Sequence, residues 1–249
     1  MRKIYLLFIV FPLMLSGCFD LSDDQDIESD INVKMWESVD STQRVFKLLC
    51  YTDDIYSCVN YTIGTSIEKN NGITTIKFKG IYTPSLCLTA NGPATSTVTI
   101  GEATDSVINL VVNIEGAESI GKVRVTDTTF VADFSTLKDL KFVYNELHRL
   151  PENTIWGMVG YYAEVTSALV ESFKDSLQYY GSTELLLGKG QYGYFEIDST
   201  HAVVVPSNHG FDYASTFIYH YEGASSVLGK MMSNFNTLHG SKMKIILYT

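Results

Sequence analysis

The sequence predicts an α+β protein with a β-rich N-terminal part and a smaller C-terminal part that mixes helices with strands. Residues 44–135 consist of short runs of Val, Ile, Thr, Tyr and Phe broken by turn residues, a pattern typical of strands. From residue 154 onward, apolar residues at helical spacing alternate with strand-like runs. Apolar residues make up 45% of the 249 residues and charged residues 18%, which excludes wholesale disorder.

The N-terminal domain, residues 44–135, contains seven expected strands. Asn70-Asn71-Gly72 lies between two alternating runs and is a strong hairpin signal. So many strands in about ninety residues suggest a β-sandwich of immunoglobulin-like build, although no Trp occupies the core position between two cysteines. The expected strands lie near residues 45–51, 58–67, 73–81, 96–100, 107–114, 120–126 and 128–134.

Residues 136–153 form a predicted linker of ambiguous structure. Leu137, Leu140, Tyr144 and Leu147 fit the spacing of a helix. Pro151 then marks a boundary, after which the character of the chain changes.

The C-terminal module, residues 154–249, carries two helical stripes, over residues 165–177 and 228–238. With the strand-like runs around them they give a β-α-β-β-β-α-β order. That order predicts a small mixed-sheet α/β sandwich of split βαβ type, with both helices on one face.

The first 17 residues predict a secretory signal. Arg2-Lys3 precedes a short apolar run, which is about a dozen residues long and therefore shorter than the roughly 20 that span a bilayer. Leu15-Ser16-Gly17-Cys18 resembles the lipobox of bacterial lipoproteins. The resemblance implies cleavage before Cys18 and attachment of acyl chains such as palmitate to that residue. Several acyl chains would hold the protein on a membrane.

Residues 18–43 are predicted to form an acidic tether behind the lipid anchor. The run from Asp20 to Asp30 lacks hydrophobic periodicity, as a solvated segment does. It resembles the acidic export signal of surface lipoproteins of the Bacteroidota, which implies an extracytoplasmic location on the outer membrane and display at the cell surface.

The acidic balance excludes some partners. The leader removes two of the 18 basic residues and none of the 28 acidic ones, so the net charge falls from −10 to −12. This balance disfavours nucleic acid, which needs clustered Lys and Arg. Anionic lipid also repels an acidic body, so membrane attachment depends on Cys18.

Three further cysteines, Cys50, Cys58 and Cys87, lie in the predicted sandwich. Outside the reducing cytosol they favour one disulfide over a catalytic thiol. All three pairings stay open on the sequence alone. The remaining thiol is expected to be a buried apolar residue.

The sequence indicates no catalytic residue, no metal site and no cofactor. Residues 188–193 match G-x-G-x-x-G and resemble a kinase glycine-rich loop, but the other kinase motifs do not follow. A glycine-tolerant hairpin is the simpler interpretation. The chain also lacks a G-x-S-x-G elbow. The densest group of possible ligands has spacings that match no compact metal signature: Asp198, His201, His209, Asp212 and His220.

Tyrosines are the last feature with functional potential. Tyr192, Tyr194, Tyr219 and Tyr221 would form a ligand platform if their strands were neighbours; the alternative is that they are ordinary strand residues with one ring face packed. The leading hypothesis is a membrane-anchored, extracytoplasmic, non-catalytic binding protein for an unknown protein or glycan. One alternative is a hydrolase that uses Asp198, His201, His209 or Asp212. Another is a structural subunit of a surface assembly, joined through a sheet edge.

Overall fold

The computed structural model describes residues 24–39, 43–104, 106–205, 210–240 and 242–249. The predicted signal segment and Cys18 lie outside the described residues. The fold is a strand-rich α+β fold with two helices among those residues, α1 (Ser167–Tyr179) and α2 (Ser225–His239). The strands are β1 (Asp24–Gln25), β2 (Ile31–Val39), β3 (Arg44–Tyr56), β4 (Thr62–Asn70), β5 (Ile73–Tyr82), β6 (Gly92–Glu102), β7 (Val107–Ile114), β8 (Ala117–Val125), β9 (Thr129–Thr136), β10 (Leu140–Phe142), β11 (Glu146–His148), β12 (Thr154–Tyr161), β13 (Thr183–Glu184), β14 (Gly190–Gln191), β15 (Glu196–Ile197), β16 (Tyr213–His220) and β17 (Met243–Tyr248).

The first eleven strands of the described chain form one hydrogen-bonded sheet in the order β10-β2-β3-β6-β4-β5-β7-β8-β9-β11, with β1 added to β5. A single residue pair, Thr62 with Thr95, joins β4 to β6. At the other end, β10 pairs with β2 and β11 pairs with β9. The sheet therefore folds around one apolar core, in which Phe46 and Phe130 stack with ring centroids 4.6 Å apart. All seven strands predicted between residues 45 and 134 are present.

The predicted tether ends earlier than residue 43, because β2 belongs to the sheet. Ile31, Val33 and Met35 alternate along β2 and are buried. Their neighbours face outward, as the two-residue period of a strand requires. The alternating apolar residues of β2 thus add the second half of the predicted tether to the core, although its first half is acidic.

The ambiguous linker forms two short strands, β10 and β11, and no helix. Leu140 and Leu147 are buried in the core of the sandwich, and the Tyr144 hydroxyl donates to the carbonyl of Met35 at 2.5 Å. The open edges of β2 and β9 offer backbone partners on either side. This tertiary pairing outweighs the local helical spacing.

The cysteine pairing is Cys58–Cys87, with Cα atoms 5.4 Å apart. This confirms the predicted disulfide and selects one of the three pairings. Cys50 is the free cysteine among the described residues and is buried. Burial raises the pKa of its thiol to about 12, so it is a core residue and a poor nucleophile.

The C-terminal sheet has the order β13-β16-β12-β17. Every neighbouring pair is antiparallel, so the prediction of a mixed sheet was wrong. The split βαβ arrangement is present. Helix α1 connects β12 to β13, and β16 lies between these two strands; helix α2 connects β16 to β17, and β12 lies between them. Ile155 and Val159 of β12 share a core with Phe173 and Phe235 of the two helices, so both helices cover one face.

A buried ion cluster lies where the sandwich leads into the C-terminal module. Glu37 of β2 accepts from Arg149 Nε at 3.0 Å and Nη2 at 2.7 Å, and from Arg44 Nη1 at 3.1 Å. Arg149 also donates to Thr126 O, and Arg44 donates to Leu150 O. These bonds fix the start of the segment that enters β12.

Candidate functional site

The face of the C-terminal sheet opposite the helices carries an apolar groove of about 310 Å³. Its floor is formed by residues of β12, β16 and β17, among them the cross-strand neighbours Met158, Thr216 and Ile246, and the segment around the β14–β15 hairpin forms its wall. The described lining residues are Trp156, Gly157, Met158, Tyr194, Phe195, Val203, Val204, Val205, Thr216, Phe217, Ile246 and Tyr248.

Aromatic rings dominate the groove. Trp156 of β12 stacks on Tyr248 of β17, with centroids 5.5 Å apart and planes 19° apart. Tyr194 and Phe195 lie at 5.0 Å and 6.0 Å from the same indole. Strand pairing causes the stack, since Trp156 and Tyr248 are direct cross-strand partners, and such pairs bring side chains into contact.

Two glycines of the G-x-G-x-x-G motif let the β14–β15 hairpin pack against the sandwich. A Cβ on Gly190 would lie 2.3 Å from the His148 ring, and a Cβ on Gly193 would lie 2.9 Å from Trp36. Both residues also have positive φ, 152° and 80°. The motif therefore lets a hairpin approach the sandwich closely, as the simpler interpretation of the sequence expected.

Tyr194 connects the groove to the sandwich. Its hydroxyl accepts from the backbone N–H of Val39 at 3.0 Å, and its ring meets Trp36 edge to face at 5.4 Å. A ring held at both its edge and its hydroxyl has little rotamer freedom left to lose. The aromatic wall of the groove is therefore preorganised.

The described lining contains no Asp, Glu, His, Lys or Arg. These described residues therefore supply no acid, base or charged clamp, and they can act by contact with an uncharged surface. Tyr248 and Val204 are 53% and 47% exposed, so a ligand can reach them from solvent.

The predicted tyrosine platform is not formed. Tyr219 and Tyr221 are buried in the core beneath the helices. Tyr192 is also buried, and its hydroxyl donates to Gly188 O at 3.0 Å. Only Tyr194 of the four reaches the groove.

Sequence reasoning missed Trp156, Phe195 and Tyr248. The alternation of residues along β12 and β17 was a usable signal for a second apolar face. Residues 155, 159, 245 and 247 belong to the core beneath the helices, whereas the residues between them do not. An apolar residue on the second face of a strand marks either a second core or a binding surface.

The residues of the hydrolase alternative have structural roles where they are described. Asp198 Oδ1 accepts from Thr200 N and Oγ1 and from Ala202 N, and these hydrogen bonds lower the pKa of its carboxyl. His201 Nδ1 lies 3.0 Å from Leu187 O. Asp212 accepts from Ala163 N at 2.9 Å, and His209 lies outside the described residues.

The described part of the chain contains no group of three or more His, Cys, Asp or Glu that could hold a metal ion. His220, the last candidate ligand, pairs with Glu222 at 3.2 Å. None of the described helices is long and apolar enough to cross a membrane.

Comparison with known proteins yields no relative: no family model, no curated protein and no solved structure matches the chain.

Proposed function

We propose that the chain is a membrane-anchored, extracytoplasmic lipoprotein that binds a protein or glycan ligand without catalysis. The lipobox-like Leu15-Ser16-Gly17-Cys18 supports the anchor, and the Cys58–Cys87 disulfide favours an oxidising compartment. Attachment at Cys18 to the outer membrane and display at the cell surface belong to the same proposal. So does an immunoglobulin-like build of the sandwich, which its largely antiparallel strands support.

The apolar groove beside Trp156 is the main observation that supports ligand binding. Its stacked aromatic rings suit the apolar side chains of a protein or the flat face of a sugar ring. The described part of its lining has no charged group, so we expect the part of the ligand that it contacts to be uncharged. A structural subunit is the second candidate, because β17 pairs only with β12 among the described strands and is a sheet edge.

Val204→Asp tests the groove. Val204 is 47% exposed and lines the groove, so the substitution places a carboxylate there without opening a buried cavity. Wild-type and variant chains are compared on a glycan array and in cross-linking to proteins of the cell envelope. The proposal expects a ligand that the wild type retains and Val204→Asp loses.

Val143→Asp is the matched control. Val143 is 45% exposed on the turn between β10 and β11 and is not among the described lining residues of the groove, so this variant should bind as the wild type does. Equal binding by all three chains would exclude the groove, and no bound ligand on either assay would remove the binding function.

A further inference from the structure

Four large apolar side chains are exposed together at one end of the sandwich. They are Ile55 (64% exposed), Val59 (43%), Leu86 (74%) and Leu88 (52%), and we name this set the Leu86 patch. Exposed apolar residues that cluster on a folded domain mark a surface that contacts a partner or a membrane.

Covalent and hydrogen bonds hold the patch together. The disulfide joins Cys58, which precedes Val59, to Cys87, which lies between the two leucines. Asn60 donates to Leu86 O at 2.7 Å and accepts from Leu88 N at 3.1 Å. The apolar side chains are therefore presented by a fixed scaffold, and their exposure does not come from a loose loop.

Ile55 and Val59 join the same surface through β6. Ile55 pairs with Pro93, the second residue of β6. Gly92, the first residue, lies against Val59, since a Cβ there would be 2.9 Å from Val59 Cγ2. The loop that carries the leucines ends at Gly92, so all four residues lie around the start of β6.

The chain leaves the fold towards Cys18 beside this patch. Asp24 pairs with Tyr82, and Tyr82 is the residue after which the loop with Leu86 and Leu88 begins. Cys18 and Asp24 are six residues apart, a length that spans at most about 20 Å. A lipid on Cys18 thus holds this end of the sandwich within about that distance of the bilayer.

We propose that the Leu86 patch rests in the interface of the bilayer that carries the Cys18 anchor. This inference depends on the lipoprotein proposal above and adds a second, protein-borne membrane contact. The bilayer is the occupant that the geometry favours, because a six-residue link to a lipidated Cys18 would keep the patch within about 20 Å of it.

The chemistry of the patch suits the bilayer interface. Residues 57–61 and 83–91 contain no charged residue. Tyr56 and Tyr61 stack at 4.8 Å near its base, and tyrosine is enriched at the level of lipid headgroups. Asp26, Glu28 and Asp54 line the same cavity as Ile55, so the contact should favour zwitterionic over anionic lipid.

The test places a tryptophan in the patch. The full-length protein is purified from bacterial membranes and reconstituted into vesicles of phosphatidylcholine with brominated acyl chains, which quench indole fluorescence on contact. Leu86→Trp should lose most of the emission that its added indole contributes over the wild type. Leu88→Trp repeats the test at a second site, and circular dichroism verifies that each variant is folded.

Ile73→Trp is the control. Ile73 is 43% exposed at the other end of β5, nine residues or about 30 Å from Tyr82, and its added emission should persist. Quenching that is absent from both patch variants, or equal in the control, overturns the proposed contact.

Palmitate-analogue labelling of the wild type and of Cys18→Ala distinguishes the two proposals. If the wild type is labelled, Cys18→Ala is not, and the patch variants stay unquenched, the anchor stands and the contact fails. If the wild type takes up no label and does not float with vesicles, the lipoprotein proposal fails and the membrane contact fails with it.

Discussion

Neutralising Glu37 should weaken the junction between the sandwich and the C-terminal module. The Glu37 side chain is 5% exposed and faces two guanidinium groups, on Arg149 (15% exposed) and Arg44 (23%). Glu37→Gln keeps the shape of the side chain and removes its charge. Two cations then remain in a largely dehydrated site without a counter-ion.

The expected loss follows from that burial. Removing one partner of a fully buried ion pair costs about 3–5 kcal/mol. The arginines of this cluster keep some contact with water, and both retain a carbonyl acceptor, Thr126 O for Arg149 and Leu150 O for Arg44. The lower end of the range therefore applies, about 3 kcal/mol. At a urea m-value of about 3 kcal/mol/M, the midpoint would fall by about 1 M.

Urea unfolding followed by circular dichroism and tryptophan fluorescence measures this effect. The control is Glu68→Gln, whose pair with Lys77 is exposed at both ends, 63% and 44%. Solvent screens such an exposed pair, so this midpoint should hardly move. Equal midpoints for Glu37→Gln and Glu68→Gln would refute the reasoning that the buried cluster holds the junction.

Three further effects can be measured on the same chain. Replacing Cys58 and Cys87 by Ala opens a link of sequence separation 29 and should lower the free energy of unfolding by about 3–4 kcal/mol; in urea unfolding, a reductant should destabilise only the wild type. Cys50 should resist iodoacetamide at pH 8 and react in urea, because burial raises the pKa of its thiol to about 12; alkylation of the native chain, detected by mass spectrometry, would contradict this. Phe173→Ala should cost about 3–5 kcal/mol in thermal or urea unfolding, since this ring is fully buried between α1 and the sheet, whereas Tyr179→Ala, at a side chain that is 85% exposed, should change little.

Local sequence patterns predicted most helices and strands. They failed where pairing with a strand distant in the sequence determines the structure. The hairpin at Asn70-Asn71-Gly72 has a local cause, and Asn71 and Gly72 adopt the positive φ values of 50° and 75° that such a turn requires. The strand over residues 31–39 follows an acidic segment, and its place depends on β3, whose pairing the local pattern does not encode. Leu140 and Leu147 are seven positions apart, which fits the period of a helix. They lie instead in two short strands separated by a turn, and such a pair can show the same spacing.

The candidate site was harder to predict because it lies where strands and a hairpin from distant parts of the sequence meet. Trp156 and Tyr248 are 92 positions apart and become neighbours through the pairing of β12 with β17. Tyr219, in contrast, is of a residue type that often binds ligands, yet it lies on the face of the sheet that the helices cover. Residue type alone does not reveal which face of a strand remains open.

The two proposed surfaces lie at opposite ends of the sandwich. The Leu86 patch contains Ile55, at the C-terminal end of β3, whereas the groove is tied to Val39, which pairs with the first residue of β3, Arg44. β3 has 13 residues, which corresponds to roughly 40 Å of strand.

A patch in the bilayer therefore places the groove some tens of ångströms from the lipid, with the sandwich as the spacer. The Cys58–Cys87 disulfide would stiffen the end proposed to rest on the membrane, and the Glu37 ion cluster would stiffen the junction with the C-terminal module. A flexible tether alone would leave the distance and direction of the groove undefined. A rigid sandwich resting on the bilayer would define both, and a ligand on a neighbouring structure would then meet an oriented binding surface.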